Sequence, residues 1–266
     1  MNNVLYDQLE NALLCTDPFK KCQMTDEIVL AWHAGLLSRA ANSHPQRLEK
    51  VGRPLKPSLV HPRELTKRSI FTEQGRIVFM HAIAHIEFNA INLALDAAYR
   101  FRDMPDDYYG DWLSVASEEV KHFRAVCVYL EKYSAQYGDF PGHDGLWDMT
   151  LRTDHDVLVR MALVPRVMEA RGLDVTPKMI ADCERAGDPQ AAAVLSLIYT
   201  EEIRHVEIGS RWFVYCCEQR NLNPETVFFD LIQEYMRGSL RGPFNDRARR
   251  LAGFSEQEIQ RLNALS

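Results

Sequence analysis

Two copies of the motif Glu-x-x-His place the strongest constraint on this chain. Glu119 precedes His122 in SEEVKHF, and Glu202 precedes His205 in TEEIRHV. On a helix, residues three apart lie on one face about a turn from each other, so each glutamate and histidine can reach a common point. Of the nine histidines, only these two follow a glutamate at this spacing. The motifs predict two helices that each present a paired carboxylate and imidazole.

Two further glutamates repeat almost the same separation along the chain. The motifs stand 83 residues apart, and Glu87 in the apolar segment FMHAIAHIEFNAINLAL is followed 82 residues later by Glu169 in MALVPRVMEARG. This order is typical of a duplicated pair of helices. By helical periodicity the glutamates share their faces with apolar residues, so we expect the carboxylates to point into the core. The expected neighbours are Met80, Ala84, Ile91, Ala94, Leu158, Met161, Ala162, Pro165, Leu195, Ile198 and Tyr199.

The pattern of apolar residues is helical almost throughout, and no run with the period of a β-strand stands out. Residues 52–63 contain three prolines and are predicted to form an extended strap. The predicted class is all-α, as a four-helix bundle over residues 71–220. A helical segment with the strap (1–70) precedes it, and a helical extension (221–266) follows. The long helices are expected over 72–101, 111–137, 146–170 and 189–220, the third ending at Gly172.

Composition narrows the class of protein. Apolar residues make up 46% of the chain and charged residues 26%, as in ordinary globular proteins. The net charge of −6 does not favour a nucleic-acid or anionic membrane surface. The N-terminal residues lack a cationic region followed by an apolar one, so we expect a cytoplasmic protein with no membrane partner. Six cysteines without a Cys-x-x-Cys motif indicate reduced thiols rather than disulfides.

Buried carboxylates need a positive charge to balance them, and the residue types indicate which cations supply it. An unpaired buried carboxylate is costly, so four glutamates and two histidines in one core predict bound cations. Carboxylate oxygen with imidazole nitrogen suits iron or manganese, and the lack of thiolate argues against structural zinc. We therefore expect two metal ions, held by Glu87, Glu119, His122, Glu169, Glu202 and His205. Tyr199, one turn before Glu202, either packs in the core, which we favour, or lines an oxidant pocket.

Three longer stretches carry a resemblance to a known family. GRIVFMHAIAHIEFNAINLALDAAYRF, MALVPRVMEARGLDVTP and IYTEEIRHVEIGSRWF resemble the bacterial family called domain of unknown function 455, within the ferritin-like di-iron carboxylate superfamily. The likeness runs from about residue 20 to 220. It implies a ferritin-like fold with the same six residues as metal ligands. It implies no particular substrate.

Two metals with open coordination positions indicate oxidation chemistry. The first hypothesis is a di-iron oxidoreductase or hydroxylase that uses dioxygen or peroxide on an unidentified substrate, with an electron-donor protein as a partner. A tRNA-modifying hydroxylase of the superfamily is an analogy at the level of fold alone. The second hypothesis is a ferroxidase or other metal-handling protein. The terminal extensions are expected to cover the surfaces that storage cages use for assembly, which argues against iron storage. They are better suited to shaping a pocket or a homodimer face. The third hypothesis is that the metal has a purely structural role.

Other polar residues have simpler interpretations. Glu118 and Glu201 rotate off the motif face and are expected at the surface or in salt bridges. His81 and His85 lie on other faces than Glu87, which favours packing or hydrogen bonding over ligation. The segment MRGSLRGPFNDRARR, from residue 236 to 250, contains five arginines and one aspartate. It could contact phosphate-bearing partners including RNA, although a solvated face or pairing with the acidic remainder is favoured.

Overall fold

The computed structural model describes residues 3–40, 44–65, 68–236 and 240–265. Throughout these residues the secondary structure is helical, with two isolated β-bridges and no β-strand. The predicted all-α class is therefore confirmed. The chain forms two compact units, Met1–Asp148 and Met149–Ser266. The domain boundaries predicted at residues 70 and 220 stay predictions.

The first unit is built on two long helices. Its helices are α1 (Leu5–Leu14), α2 (Pro18–His33), α3 (Glu73–Arg100) and α4 (Asp106–Glu131), and Pro62–Glu64 form a 3-10 turn. Helix α5 (Gly145–Arg152) begins in the same unit. The helices α3 and α4 pack against each other, while α1 packs on α3 and α2 packs on α4. The two long helices are thus the centre of this unit.

Helix α3 is the core helix of the first unit. It begins where the sequence predicts, because the Thr72 hydroxyl accepts a hydrogen bond from the Gly75 amide at 3.1 Å and caps the first turn. From Glu87 to Arg100 every residue is buried. By length and composition α3 could cross a membrane, but 72% of its most apolar window is buried within the protein. A helix that is covered on all sides in this way is typical of a core.

Hydrogen bonds and backbone conformation determine the course of the strap and the residues at which α4 begins and ends. Residues 52–61 of the strap are non-helical, as predicted, and Pro62 begins the 3-10 turn. Val60 N donates to the Gly142 carbonyl at 2.9 Å. Helix α4 differs from the prediction at both ends. It starts at Asp106, directly after Pro105, with two aspartates in its first turn that interact favourably with the helix dipole. It ends at Glu131, and Ser134 then takes a φ of 54° that a helix cannot continue.

The second unit is built around helix α8. Helix α6 (Val157–Leu163), the π-helical segment Val164–Glu169 and α7 (Ala170–Arg185) precede α8 (Pro189–Gln219), which α9 (Pro224–Met236), α10 (Asp246–Leu251) and α11 (Glu256–Ala264) follow. Helices α6 and α7 and the π-helical segment all pack on α8. As predicted, α8 opens at Asp188-Pro189: the Asp188 carboxylate accepts from Ala191 N at 2.9 Å, and Pro189 fits the first turn.

The single helix predicted over 146–170 is wrong. A turn divides it, because the Asp156 carboxylate caps a new helix by accepting from Leu158 N at 2.8 Å. Pro165 cannot donate a backbone hydrogen bond, and the chain adopts the wider π-helical path in which Ala170 N donates to the Pro165 carbonyl. On α8, Gly209 leaves room for the Pro165 ring, since a Cβ there would lie 2.3 Å from it. The π-helical segment ends at Glu169.

The predicted helix end at Gly172 is also wrong, because α7 continues through Gly172 and Pro177 to Arg185. A proline inside a helix leaves the carbonyl four residues earlier without its helical donor. Here that carbonyl belongs to Leu173, and it accepts a hydrogen bond from Asn245 Nδ2 at 3.1 Å. The C-terminal extension thus supplies the donor that lets α7 pass its proline.

A buried arginine joins the π-helical segment to the C-terminal helices. The side chain of Arg166 is 1% exposed, and it donates to Ser210 Oγ at 3.1 Å and to Glu258 Oε1 at 2.8 Å. Three phenylalanine rings lie within 5 Å of its guanidinium carbon: Phe213, Phe228 and Phe254. Removing one partner of a buried ion pair leaves an uncompensated charge. The Arg166–Glu258 contact is therefore expected to contribute strongly to the stability of the second unit.

Replacing Arg166 tests this stabilising role of the buried ion pair. We expect Arg166→Leu to lower the free energy of unfolding by about 3–5 kcal/mol, since the buried Glu258 carboxylate loses its charge partner. Urea denaturation followed by circular dichroism measures the change. The matched control is Arg250→Leu, which removes an arginine from the exposed ion pair with Glu256 and should change stability little. Equal losses in the two variants would contradict the assignment.

Candidate metal centre

Three of the predicted ligands lie together in the first unit. Glu87 is on α3, and Glu119 and His122 are one turn apart on α4. His122 Nδ1 lies 3.2 Å from Glu87 Oε2 and 3.3 Å from Glu119 Oε2. One ligand atom from each residue lies within 4.8 Å of the other two, and all three side chains are buried. We call these residues the first trio; they could hold a metal ion between them.

The electrostatics of the first trio favour a positive charge at its centre. Burial and then the neighbouring Glu119 carboxylate raise the pKa of Glu87 to about 8, although His122 opposes the shift. Burial alone would lower the pKa of His122, but hydrogen bonds to Glu119 and Glu87 outweigh it and raise that pKa to about 11. A proton on His122 balances part of the negative charge. A divalent cation at the same point would balance it more completely.

The surroundings of Glu87 agree with the inward face that periodicity predicts. Its expected neighbours Met80, Ala84, Ile91 and Ala94 are each at most 1% exposed. Beside the ligands in sequence, Phe88 and Phe123 follow Glu87 and His122, with their ring centroids 5.6 Å apart. The Tyr137 ring lies within 5.4 Å of both rings. The α3–α4 pair is therefore apolar and aromatic around its few charged groups.

The second unit repeats the Glu–His contact. On α8, His205 Nδ1 lies 3.3 Å from Glu202 Oε2, the same atoms and the same distance as in the His122–Glu119 pair. His205 is fully buried, and the Glu202 side chain is 13% exposed. Glu169 is the last residue of the π-helical segment, which packs on α8. π-Helical turns occur frequently at functional sites, and here one sets the position of a predicted ligand.

The polar residues next to the motifs lie largely where the sequence places them. Lys121 and Arg204 are exposed, and Glu118 and Glu201 are half-buried. His81 Nε2 accepts a hydrogen bond from Gly138 N at 2.8 Å, which confirms the predicted hydrogen-bonding role of this histidine. Burial lowers the pKa of His81 to about 4, so its ring is neutral at pH 7.

The second histidine near Glu87 has a similar role. His85 Nε2 lies 3.0 Å from the His143 carbonyl, and its Nδ1 lies 2.9 Å from the Tyr137 hydroxyl. Because a carbonyl can only accept, Nε2 carries the proton and Nδ1 accepts from the tyrosine. Both ring nitrogens are thus engaged within the first unit, as predicted for a residue that is not a ligand.

Tyr199 has a partner that the sequence pattern does not predict. Its hydroxyl accepts from Asn245 Nδ2 at 3.0 Å, and Asn245 also caps α10 by accepting from Ala248 N. Asn245 therefore joins Tyr199, the Leu173 carbonyl and α10. The available signals were the cap position before Asp246 and the carbonyl that Pro177 frees.

The arginine-rich segment is only partly a solvated face. Arg249 is 3% exposed and makes a two-point ion pair with Asp174, while Arg250 pairs with Glu256. For these two residues the predicted pairing with acidic groups is confirmed. Arg241 and Arg247 are exposed, and Arg237 lies outside the described residues.

Comparisons with known proteins identify the family of the chain. The family described as "Protein of unknown function (DUF455)" matches residues 14–260. An "Uncharacterized protein" of Haemophilus influenzae is 39% identical over 264 residues, covering 96% of this chain and 92% of that protein. No solved structure matches. Because the family match and this relative both cover nearly the whole sequence, the chain belongs to the DUF455 family.

Proposed function

We propose that this protein binds two metal ions and acts as a di-iron oxidoreductase or hydroxylase on an organic substrate, with dioxygen or peroxide as the oxidant. In this proposal the four helix segments that carry the ligands form a ferritin-like bundle. Glu87, Glu119, His122, Glu169, Glu202 and His205 bind the metals. The observation that carries the proposal is the buried first trio, together with the repetition of its Glu–His contact on α8.

The donor set fits iron and, as the alternative, manganese. Each histidine turns the same nitrogen, Nδ1, toward the carboxylate of its own motif. Two carboxylates and one imidazole supply oxygen and nitrogen donors, which suit these metals in their divalent state. The six cysteines are free thiols and none belongs to the first trio, so the set differs from the thiolate sites typical of structural zinc.

The protein residues have separable roles in this proposal. Glu119 supplies negative charge, and Glu87 does so once it loses its own proton, because burial raises its pKa to about 8. Burial also keeps water from competing for their oxygens. His122 supplies a neutral nitrogen once its proton leaves, so metal binding is expected to release that proton. Iron bound by such ligands supplies redox chemistry with dioxygen or peroxide. Burial of the ligands restricts access of solvent to the reacting centre.

Substitution of single ligands tests metal binding. We expect His122→Ala and Glu202→Ala each to weaken metal binding by roughly tenfold or more, because each removes a direct ligand from a buried site. Metal content after anaerobic loading with Fe(II) and desalting is measured by mass spectrometry. The matched control is Glu118→Ala, which removes a half-buried carboxylate one residue from Glu119 and should leave the metal content nearly unchanged. Equal metal loss in the control would contradict the ligand assignment.

A second experiment separates an oxygenase from a metal-handling protein. The loaded protein is exposed to air with excess Fe(II), and absorbance and protein-bound iron are followed. We expect the oxidised iron to stay bound at about two ions per chain, with further turnover only when a reductant supplies electrons. Oxidation of many Fe(II) ions per chain with accumulation of a mineral would instead support a ferroxidase or storage function.

A further inference from the structure

The second unit contains a recess that the metal chemistry does not use. Its volume is about 320 Å³, and one side of it is formed by the π-helical segment and the start of α7. The other side is formed by the end of α9 and the chain around α10. The recess is lined by Val167, Met168, Arg171, Asp174, Met236, Leu240, Arg241, Phe244 and Arg249. It thus includes part of the arginine-rich segment.

The floor of the recess is a closed ion pair. Arg249 donates to Asp174 Oδ1 at 3.0 Å and to Oδ2 at 2.8 Å, and both side chains are at least 97% buried. The Phe244 ring lies 4.9 Å from the Arg249 guanidinium carbon. Asn245 N also donates to Asp174 Oδ1. The Asp174 carboxylate is therefore fully engaged by groups of the protein.

The remaining charges of the recess are positive. Arg171 is about half exposed and holds the chain at the rim by donating to the Arg241 and Pro243 carbonyls at 3.1 and 3.2 Å. Arg241 is exposed and has no ion-pair partner within the described part of the chain. Arg171 Nη1 also lies 3.6 Å from Asp174 Oδ2, so Arg171 and Arg249 share one carboxylate. With Arg241, three guanidinium groups and one carboxylate line the recess, which leaves an excess of positive charge. Such groups bind carboxylate or phosphate oxygens well.

The rest of the lining is apolar. Val167, Met168, Met236, Leu240 and Phe244 contribute aliphatic, thioether and aromatic surface. Ligand sites commonly combine such surface with a few polar groups that fix the orientation of the ligand. Methionine side chains also adapt to ligands of different shape. Charge at the rim with apolar surface inside matches a molecule that has an anionic head and an apolar body.

We propose that this recess binds a small amphiphilic anion, meaning an alkyl chain that carries a carboxylate or a phosphate. Arg171 and Arg241 contact the head, and the apolar residues contact the alkyl chain. An RNA strand fits less well, because it needs a row of exposed basic groups along its backbone. In the described part of the arginine-rich segment, Arg249 is buried and Arg250 is paired. The proposal requires no metal ion, so it stands or fails separately from the di-iron proposal.

Calorimetric titration of the full-length protein with four probes tests the proposal. We expect octanoate, octyl phosphate or both to bind at one molecule per chain, and comparison of the two identifies the preferred head. Inorganic phosphate lacks the alkyl chain and 1-octanol lacks the charge, so each should bind roughly tenfold or more weakly. If neither anion binds saturably, or if 1-octanol or inorganic phosphate binds as tightly as the octyl anions, the proposal is wrong.

Variants of exposed arginines locate the binding. We expect Arg241→Gln to weaken binding of the octyl anion roughly tenfold, because it removes a charged donor at the rim. The matched control is Arg247→Gln, an exposed arginine of the same segment that does not line the recess, and it should leave affinity within about twofold. Thermal denaturation verifies that both variants are folded. Unchanged affinity in Arg241→Gln, or an equal loss in Arg247→Gln, would overturn the assignment to this recess.

Discussion

Negative charge inside an apolar helix pair is the constraint on which the rest of this structure depends. Glu87 lies on a helix that is buried on every side from that residue onward, and Glu119 faces it from α4. Two carboxylates at such a position are unfavourable unless a positive charge lies between them. His122 supplies part of that charge by keeping a proton to a pKa of about 11. A chain with no use for a cation would be more stable with apolar residues there.

Irregular helices in the second unit determine the position of Glu169, a predicted ligand. Pro165 and the room left by Gly209 produce the π-helical turn that ends at Glu169. Arg166, within that turn, is fixed by Ser210 on α8 and Glu258 on α11. These buried contacts help to determine where Glu169 lies, so the C-terminal helices support the position of this predicted ligand. The same turn also forms part of the recess that we propose as a binding site.

Helical periodicity and motif spacing predicted much of the fold and part of the candidate metal site. The class, the start of α3 at its Thr72 cap and the start of α8 at Asp188-Pro189 follow from local signals that act within one turn. The inward face of Glu87 follows from the apolar residues that share its stripe. The first trio also follows in part, because a Glu-x-x-His spacing fixes its own geometry on a helix.

Other features of the fold depend on long-range contacts that no local sequence pattern predicts. Gly172 and Pro177 resemble helix-ending signals, yet α7 continues because Asn245, distant in sequence, supplies a donor to the Leu173 carbonyl. The buried pairing of Arg166 with Glu258 joins residues 92 positions apart. Arg249 belongs to a segment that composition describes as basic surface, but its pairing with Asp174 makes it a core residue. Such pairings are decided by tertiary packing and are visible only in the structure.

Anomalous X-ray diffraction at the iron edge, from crystals of the Fe(II)-loaded protein, tests the proposed metal ligands most directly. Two iron peaks per chain are expected, each in contact with carboxylate oxygens and a histidine nitrogen. Together the two ions should contact all six predicted ligands, which are Glu87, Glu119, His122, Glu169, Glu202 and His205. An iron-free first trio, or iron bound only by other residues, would contradict this ligand assignment.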